Sequence, residues 1–353
     1  MSTRLSAKVR VTSLPARDLD AVLDATRPLW DELAGARIFL TGATGFIGTW
    51  MLESVGWARE RLGVDTRVIA LARDPARLKA RLPHLVDAPW LQVVTGDVRE
   101  CTLRAGTVDL LVHTASTAHP RQIAAAPLDV QDVVARGTAH VARQAHLAGA
   151  SRALLMSSGS VYGPFTTPSS LVAEDSSQGP DPLLPASALA EAKRLAESTA
   201  VLVGRETGLG VVIARGFAMS GPWLPVDADF ALGNFVGDAL AGRPIRVAGD
   251  GTPVRSFLYG SDVAAWLWTL LLRGTPGRAY NVGSERPVTI DEAAQLVSRL
   301  GKVAVERLRE PVAGASASWF VPSTRRAREE LGLEARVPFE AGVERMLEWH
   351  RGR

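Results

Sequence analysis

Cysteine, lysine and tyrosine are all scarce in this chain, and each shortage excludes something. A single Cys101 in 353 residues rules out an internal disulfide framework and any cysteine-based metal cluster, so no metal site is expected. Lysine occurs only at Lys8, Lys79, Lys193 and Lys302; the 40 basic residues are therefore mostly arginine, scattered without a basic block. Set against 37 acidic residues they leave a formal charge of +3, which offers no footprint for nucleic acid. No apolar run approaches the ~20 residues of a membrane span. The opening stretch MSTRLSAKVRVTSLPARD lacks the apolar segment of a signal peptide, so a cytoplasmic address is expected. With only three tyrosines, few phenols are available for chemistry.

What is present is a large apolar fraction, 46%, enough for a sizeable core. Residues 17–34 carry Leu19, Val22, Leu23, Leu29 and Leu33 at helical spacing and end at Gly35, which predicts an N-terminal helical extension over 1–35. Beyond it, RIFLTG, RVIALA, LQVVTG, VDLLVHTA, RALLMSS and GVVIAR are short β-rich runs. Between them lie helical stretches such as 130–149 and 187–204. Strands alternating with helices predict a doubly wound parallel sheet over 36–216. From 217 to 353, prolines punctuate shorter elements, which predicts a smaller lobe with segments returning to the first domain.

IFLTGATGFIG sets Gly42, Gly45 and Gly48 directly after the first strand, where a helix opens. Glycines at that spacing let the backbone turn tightly and approach a pyrophosphate, with N–H groups from Thr44, Gly45, Phe46 and Ile47 available to it. Dinucleotide binding on a Rossmann-type sheet is therefore expected. The end of the second strand selects the cofactor, since a carboxylate binds the ribose hydroxyls and a cation admits a 2′-phosphate. Arg73, aided by Arg77 or Lys79, favours NADP over NAD, while Asp74 is positioned to reach the ribose instead. In GDV after the third strand, Asp97 and Val98 fall beside the expected adenine, and an ordinary turn aspartate is the alternative.

Six motifs in order, TGATGFIG, LVHTAS, MSSGSVYG, AKRLAE, GDGTPVRSFLYGSDVA and YNVGSE, resemble the extended short-chain dehydrogenase/reductase family. The resemblance is to its NAD-dependent epimerase/dehydratase branch acting on nucleotide sugars, and it runs from about residue 36 nearly to the end. It implies that Ser158 hydrogen-bonds the substrate, that Lys193 binds the nicotinamide ribose and that Ala115 lies beneath the nicotinamide. It also implies that Arg255 grips a substrate diphosphate. Selectivity then rests on the loops 117–122, 164–185 and 222–234, with Ser116, Thr117, His119 and Asn234 as candidate substrate contacts. A nucleotide-linked small molecule as substrate and a homodimer paired through 130–149 and 187–204 follow from the same resemblance.

The chain departs from that pattern in three places. Leu189 stands where the family keeps its tyrosine, four residues before Lys193. Gly159 and Ser160 replace the acid pair of sugar 4,6-dehydratases, and Ala218 replaces an asparagine. Tyrosine and lysine four apart share one helical face, so the ammonium can tune the phenol that exchanges the proton accompanying hydride transfer. Leucine carries no such proton. Tyr162 is the only tyrosine that the motifs place near Ser158, with a packed aromatic as its alternative role; a water held by Ser158 and Lys193 is another candidate relay. His113 is expected to be packed or backbone-bonded, and Glu174 and Asp175 to form a solvated turn. Three functions stay open: a sugar-nucleotide enzyme with a changed relay, a non-redox enzyme on the same scaffold, or a non-catalytic dinucleotide-binding subunit.

Overall fold

Seven parallel strands form the central sheet of the computed structural model, which describes residues 12–116, 120–165, 171–228, 230–312 and 317–353. They are β1 (Arg37–Thr41), β2 (Arg67–Ala72), β3 (Leu91–Thr95), β4 (Leu110–His113), β5 (Arg152–Ser158), β6 (Gly210–Gly216) and an edge strand Ala279–Val282. Their spatial order is β3-β2-β1-β4-β5-β6, followed by the edge strand beside β6. The order reverses between β1 and β4, the switch point where open α/β sheets leave a crevice at the carboxyl ends of their strands. All four residues of β4 are buried, as expected for a central strand covered on both faces.

The Rossmann-type fold expected from the alternating pattern is thus present, and its seventh strand comes from beyond residue 217. Helix α1 (Ala16–Leu33) ends before Gly35, whose φ of +75° suits the left-handed turn that stops it. Helix α2 (Phe46–Leu62) follows β1, and α3 (Pro75–Arg81) follows β2. The stretch expected as one helix over 130–149 is Pro127–Gln131, a π turn Asp132–Arg136, and Gly137–Leu147. The π turn precedes Gly137, where a Cβ would lie 2.6 Å from Val98 Cγ2; only glycine lets the helix close there. The lysine-bearing helix runs Ala188–Thr207 and stops at Gly208, φ +81°.

A second apolar core, with Leu232, Phe235, Val247, Phe257, Val297 and Met346 among its members, forms the smaller lobe. The N-terminal segment ties this lobe to the sheet. Ser13 N donates to Glu53 of α2 (3.0 Å), while Trp349 Nε1 donates to the Ser13 carbonyl (2.7 Å) and Trp223 Nε1 to the Ser13 hydroxyl (3.0 Å). Buried Asp18 accepts from Tyr259 Oη (2.7 Å) and Arg345 (2.8 Å). These bonds fix how the lobe faces the strand ends. Among the described residues no helix is long and apolar enough to cross a membrane.

Candidate active site

The turn after β1 accepts nothing but glycine at two positions. Gly42 has φ +77°, and a Cβ on it would lie 2.6 Å from Thr114 Oγ1; a Cβ on Gly48 would lie 2.3 Å from the Gly42 carbonyl oxygen. Gly45 is different. Among the described residues, a Cβ there would meet the Gly42 oxygen alone, at 3.3 Å, a tight contact but far looser than at the other two, and the residue is exposed. Helix α2 starts there with no side-chain cap. Its first N–H groups therefore face the crevice with the positive end of the helix dipole behind them, which fits a pyrophosphate. Thr44, Phe46 and Ile47 are half-buried around this turn, and the Phe46 ring also packs 6.3 Å from Trp50.

At the adenosine end, Arg73 is exposed at the close of β2 and forms no ion pair with a carboxylate among the described residues. Asp74 caps α3, its Oδ1 accepting from Ala76 N (3.0 Å) and Arg77 N (3.3 Å), so that oxygen is already engaged. Asp97 is held by Arg99 through both carboxylate oxygens (2.8 and 3.0 Å), and Arg99 continues to Asp129 and Asp132. The Arg99 bonds hold the Asp97 carboxyl below its usual range. An adenine amino group would meet a carboxylate whose two oxygens already carry bonds. Val98 is buried beside Gly137.

The reacting end lies at the carboxyl ends of β4 and β5. Lys193 projects from its helix to donate from Nζ to the Met156 carbonyl (2.7 Å), two residues before Ser158, and is 5% exposed. Burial pushes its pKa down to about 8, opposed by Glu197 one turn further on. The Ser158 hydroxyl oxygen accepts from Ser160 N (3.1 Å), which leaves its own proton free to donate. Leu189 is half-buried, packed with Ile123 on the cluster of Val130, Val134, Ala192 and Ala196. Ala115 N reaches Thr41 Oγ1 (3.3 Å), and Ser116 is half-buried on the same loop; Thr117 and His119 lie outside the described residues.

Two expectations change here, while His113 is packed as expected, 3% exposed. Tyr162 is not presented to the crevice: it is 1% exposed, its hydroxyl donates to Asn281 Oδ1 (2.7 Å) and accepts from Arg215 (2.9 Å), and its ring packs near Phe165 and Phe217. Burial drives its pKa up to about 12, which suits a structural phenol and not a proton donor near neutrality. Glu174 is no solvated turn residue; its side chain is 4% exposed and accepts from Asn281 N (2.9 Å), while Asp175 is exposed. His113 bonds two side-chain hydroxyls, Thr41 (2.6 Å) and Thr138 (3.1 Å), and not the backbone.

Two groups went unnoticed in the sequence. Glu197, Arg215 and Ser157 form a buried network, with Arg215 to Glu197 Oε2 at 2.7 Å and Ser157 Oγ to Glu197 Oε1 at 2.5 Å. Its one sequence signal was the i,i+4 spacing of Lys193 and Glu197. Phe320 and Phe217, with ring centroids 4.5 Å apart, cover Gly159; a Cβ there would lie 2.7 Å from Phe320 and 2.8 Å from Phe217. An acid at 159 therefore has no room. On the lobe, half-buried Arg255 donates to the carbonyls of Val254 (2.8 Å) and Ser318 and to the Ser318 hydroxyl. Its guanidinium lies 5.8 Å from the Phe320 ring centre. No carboxylate among the described residues neutralises it in an ion pair, which is how an anion-binding arginine is kept available. Asn234 is half-buried in the first turn of the helix Ala231–Leu240.

A sequence profile described as the NAD dependent epimerase/dehydratase family matches residues 38–283. UDP-glucuronic acid decarboxylase 1 of Arabidopsis thaliana is 29% identical over 318 residues, spanning 90% of this chain and 70% of its own length. UDP-glucuronic acid decarboxylase 1 of Danio rerio is 28% identical over 315 residues, with 89% and 72% covered. A dTDP-glucose 4,6-dehydratase from Streptomyces venezuelae, solved with NAD and TYD bound, superposes with a TM-score of 0.75 at 25% identity. That match covers 90% of this chain and 97% of the other.

Proposed function

Because the chain belongs to the NAD dependent epimerase/dehydratase family, we propose that it is a cytoplasmic, dinucleotide-dependent enzyme of nucleotide sugars whose proton relay runs without a phenol at position 189. The observation that carries this reading is the meeting of Lys193 with the end of β5, its Nζ 2.7 Å from the Met156 carbonyl beside Ser158. Gly42, Gly45 and Gly48 with the first turn of α2 would hold the cofactor's pyrophosphate, Arg73 and Asp97 would flank its adenosine, and Ala115 and Lys193 its nicotinamide ribose. When bound, the dinucleotide supplies a reversible hydride acceptor. Ser158 would orient the substrate hydroxyl, and Arg255 with Asn234 would hold the diphosphate.

A nucleoside-diphosphate hexuronate suits this site best. Its relatives include proteins named UDP-glucuronic acid decarboxylase, and the aromatic cover on Gly159 leaves no place for the acid that water elimination requires. Oxidation of a hexuronate at C4 leaves its carboxyl β to a ketone, and such an acid loses carbon dioxide without a protein acid. Purified protein given NAD and UDP-glucuronic acid should release carbon dioxide. Release with no dinucleotide present would favour a non-redox reaction, the reading that Leu189 supports by itself. Stoichiometric dinucleotide with no turnover of any sugar nucleotide would favour a non-catalytic subunit.

The cofactor is NAD or NADP, with the exposed Arg73 as the group that admits a 2′-phosphate. Arg73→Asp should lower NADP affinity relative to NAD by about tenfold or more, read by calorimetry. An unchanged ratio would mean that Arg73 points to solvent. The protein also pairs with a second copy of itself. Leu195 and Leu202 lie seven apart on the lysine helix, 57% and 52% exposed, beside Leu128 at 79%. Such an apolar stripe on two adjacent helices is suited to a matching stripe across a two-fold axis. Sedimentation should give a dimer at micromolar concentration, and Leu195→Glu with Leu202→Glu should give monomers.

A further inference from the structure

We propose that Lys193 itself exchanges the proton with the substrate hydroxyl, doing in this chain what a tyrosine held by the lysine would otherwise do. This rests on the hydride-transfer reading above and names the group that completes it. An ammonium has three donors, and one of Lys193's is spent on the Met156 carbonyl at 2.7 Å. Leucine at 189 packs on the cluster of Val130, Val134, Ala192 and Ala196, so no polar group from that position stands between Nζ and the crevice. Ser158 ends the strand that Lys193 grips, with its hydroxyl proton free. Both groups thus sit at the carboxyl end of β5, and the proposal places the substrate oxygen between the Ser158 hydroxyl and the Lys193 amine.

The step balances with groups already named. In oxidation the neutral amine's lone pair would take the hydroxyl proton, an N–H bond forming as O–H breaks, while a bound dinucleotide would supply the acceptor for the carbinol hydride. In reduction the ammonium returns the proton to the oxygen. A neutral amine must therefore exist near working pH, and the surroundings of Lys193 provide for one. It is buried, and its pKa is pushed down to about 8.

The charges facing it are few. Glu197 on its own helix favours the ammonium, but that carboxylate is shared with Arg215 from β6 and with the Ser157 hydroxyl. Tyr162 from the turn after β5 is neutral and bonded to Arg215. His113 from β4 is held neutral by burial and by Lys193, its pKa pushed down to about 3. On the neighbouring π turn, Asp132 and Arg136 pair with each other (2.8 Å) on the solvent side, and Glu191 with Arg194 do so on the lysine helix (3.8 Å).

Four lysines in the whole chain make the test direct. Lys8→Arg, Lys79→Arg and Lys302→Arg together leave Lys193 as the only lysine, so one 13Cε resonance in lysine-labelled protein reports it without altering it. That resonance should titrate near pH 8, about two units below an ordinary lysine, and the native enzyme's kcat should rise with pH to an inflection at the same place. Lys193→Arg keeps a cation for the ribose but cannot lose its proton. It should retain dinucleotide binding within a few-fold, by calorimetry, while turnover falls by roughly 10² or more. A resonance still charged at pH 10, or an Arg variant with more than a tenth of native turnover, would overturn the proton-transfer role and leave the functional reading standing. Native protein that binds no dinucleotide would overturn both.

Discussion

The half of the crevice built on β1 to β3 and the half built on β4 to β6 are held in shape by different means. In the first, backbone touches backbone: Gly48 sits so close to the Gly42 carbonyl that a methyl group would lie 2.3 Å from it. Shape there is largely local, set within the seven residues from Gly42 to Gly48 and closed over Gly42 by Thr114 and Ala115 just after β4. In the second, side chains from distant segments converge. Glu197, Arg215, Ser157 and Asn281 share one buried polar network with Tyr162, Lys193 bonds the Met156 carbonyl on the neighbouring strand, and Phe320 arrives from the lobe to cover Gly159. A site of the first kind tolerates no bulk, and one of the second tolerates no loss of a partner. The glycine spacing of the first half is the one the family pattern leads one to expect, whereas the second half carries Leu189 and Gly159 at positions where that pattern differs.

The largest effect expected from this contrast is at Glu197. Its side chain and that of Arg215 are 10% and 17% exposed, so Glu197→Ala strands a buried guanidinium and should cost about 3–5 kcal/mol in urea unfolding. Glu197→Leu with Arg215→Met should recover much of that, because the desolvation cost leaves with the charges. A single variant that loses less than about 1 kcal/mol would mean that charge is not what holds this half. On the other half, Gly48→Ala should cost about 1–3 kcal/mol by overpacking. Gly45→Ala, with only one contact at 3.3 Å, should leave stability nearly unchanged and weaken dinucleotide binding about tenfold. If both glycine variants behaved alike, the looser surroundings of Gly45 would have no bearing on the ligand.

The same contrast explains what could be read in advance. The strands, the glycine turn and Lys193 were legible because each is a local pattern: β-rich runs, a fixed spacing after a strand, a motif on one helix. Phe320 was not, because it lies more than 150 positions from the glycine it covers and reaches it only through the lobe's fold. Tyr162 looked available because sequence shows proximity to Ser158 but not the Asn281 and Arg215 bonds that occupy its hydroxyl. Asp97 looked free for the same reason, since Arg99, two residues on, turns back to take both its oxygens. The lone aspartate and the paired one are identical until side chains are placed.

His113 gives a smaller effect that belongs to the second half alone. Burial, reinforced by Lys193, lowers its folded pKa to about 3 from 6.5. The unfolded chain therefore takes up a proton that the folded one refuses once pH drops below 6.5. The stability it contributes is complete above 6.5 and falls by up to about 1.4 kcal/mol per pH unit down to about 3. Urea unfolding at pH 6.5 and 5.5 should show that slope, and His113→Gln should flatten it by most of one proton. An unchanged slope in the variant would place the acid sensitivity in other groups.

The smallest change in energy has the widest consequence for function. Leu189→Tyr puts a phenol one helical turn before Lys193 on the same helix. If the native reaction is hydride transfer with Lys193 as its proton group, the phenol offers a second route. The ammonium then lowers the phenol's pKa instead of giving up its own proton. Turnover at pH 7 should rise by about tenfold, worth about 1.4 kcal/mol, and the pH inflection near 8 should move down. The cost is a hydroxyl in a place now lined by Ile123, Val130 and Val134, and without a partner it would destabilise the fold by about 1–3 kcal/mol. A variant that folds, binds the dinucleotide and loses native activity with no gain in hydride transfer would mean that leucine is there to keep the site apolar. The chemistry would then be non-redox, with the dinucleotide retained as a structural partner.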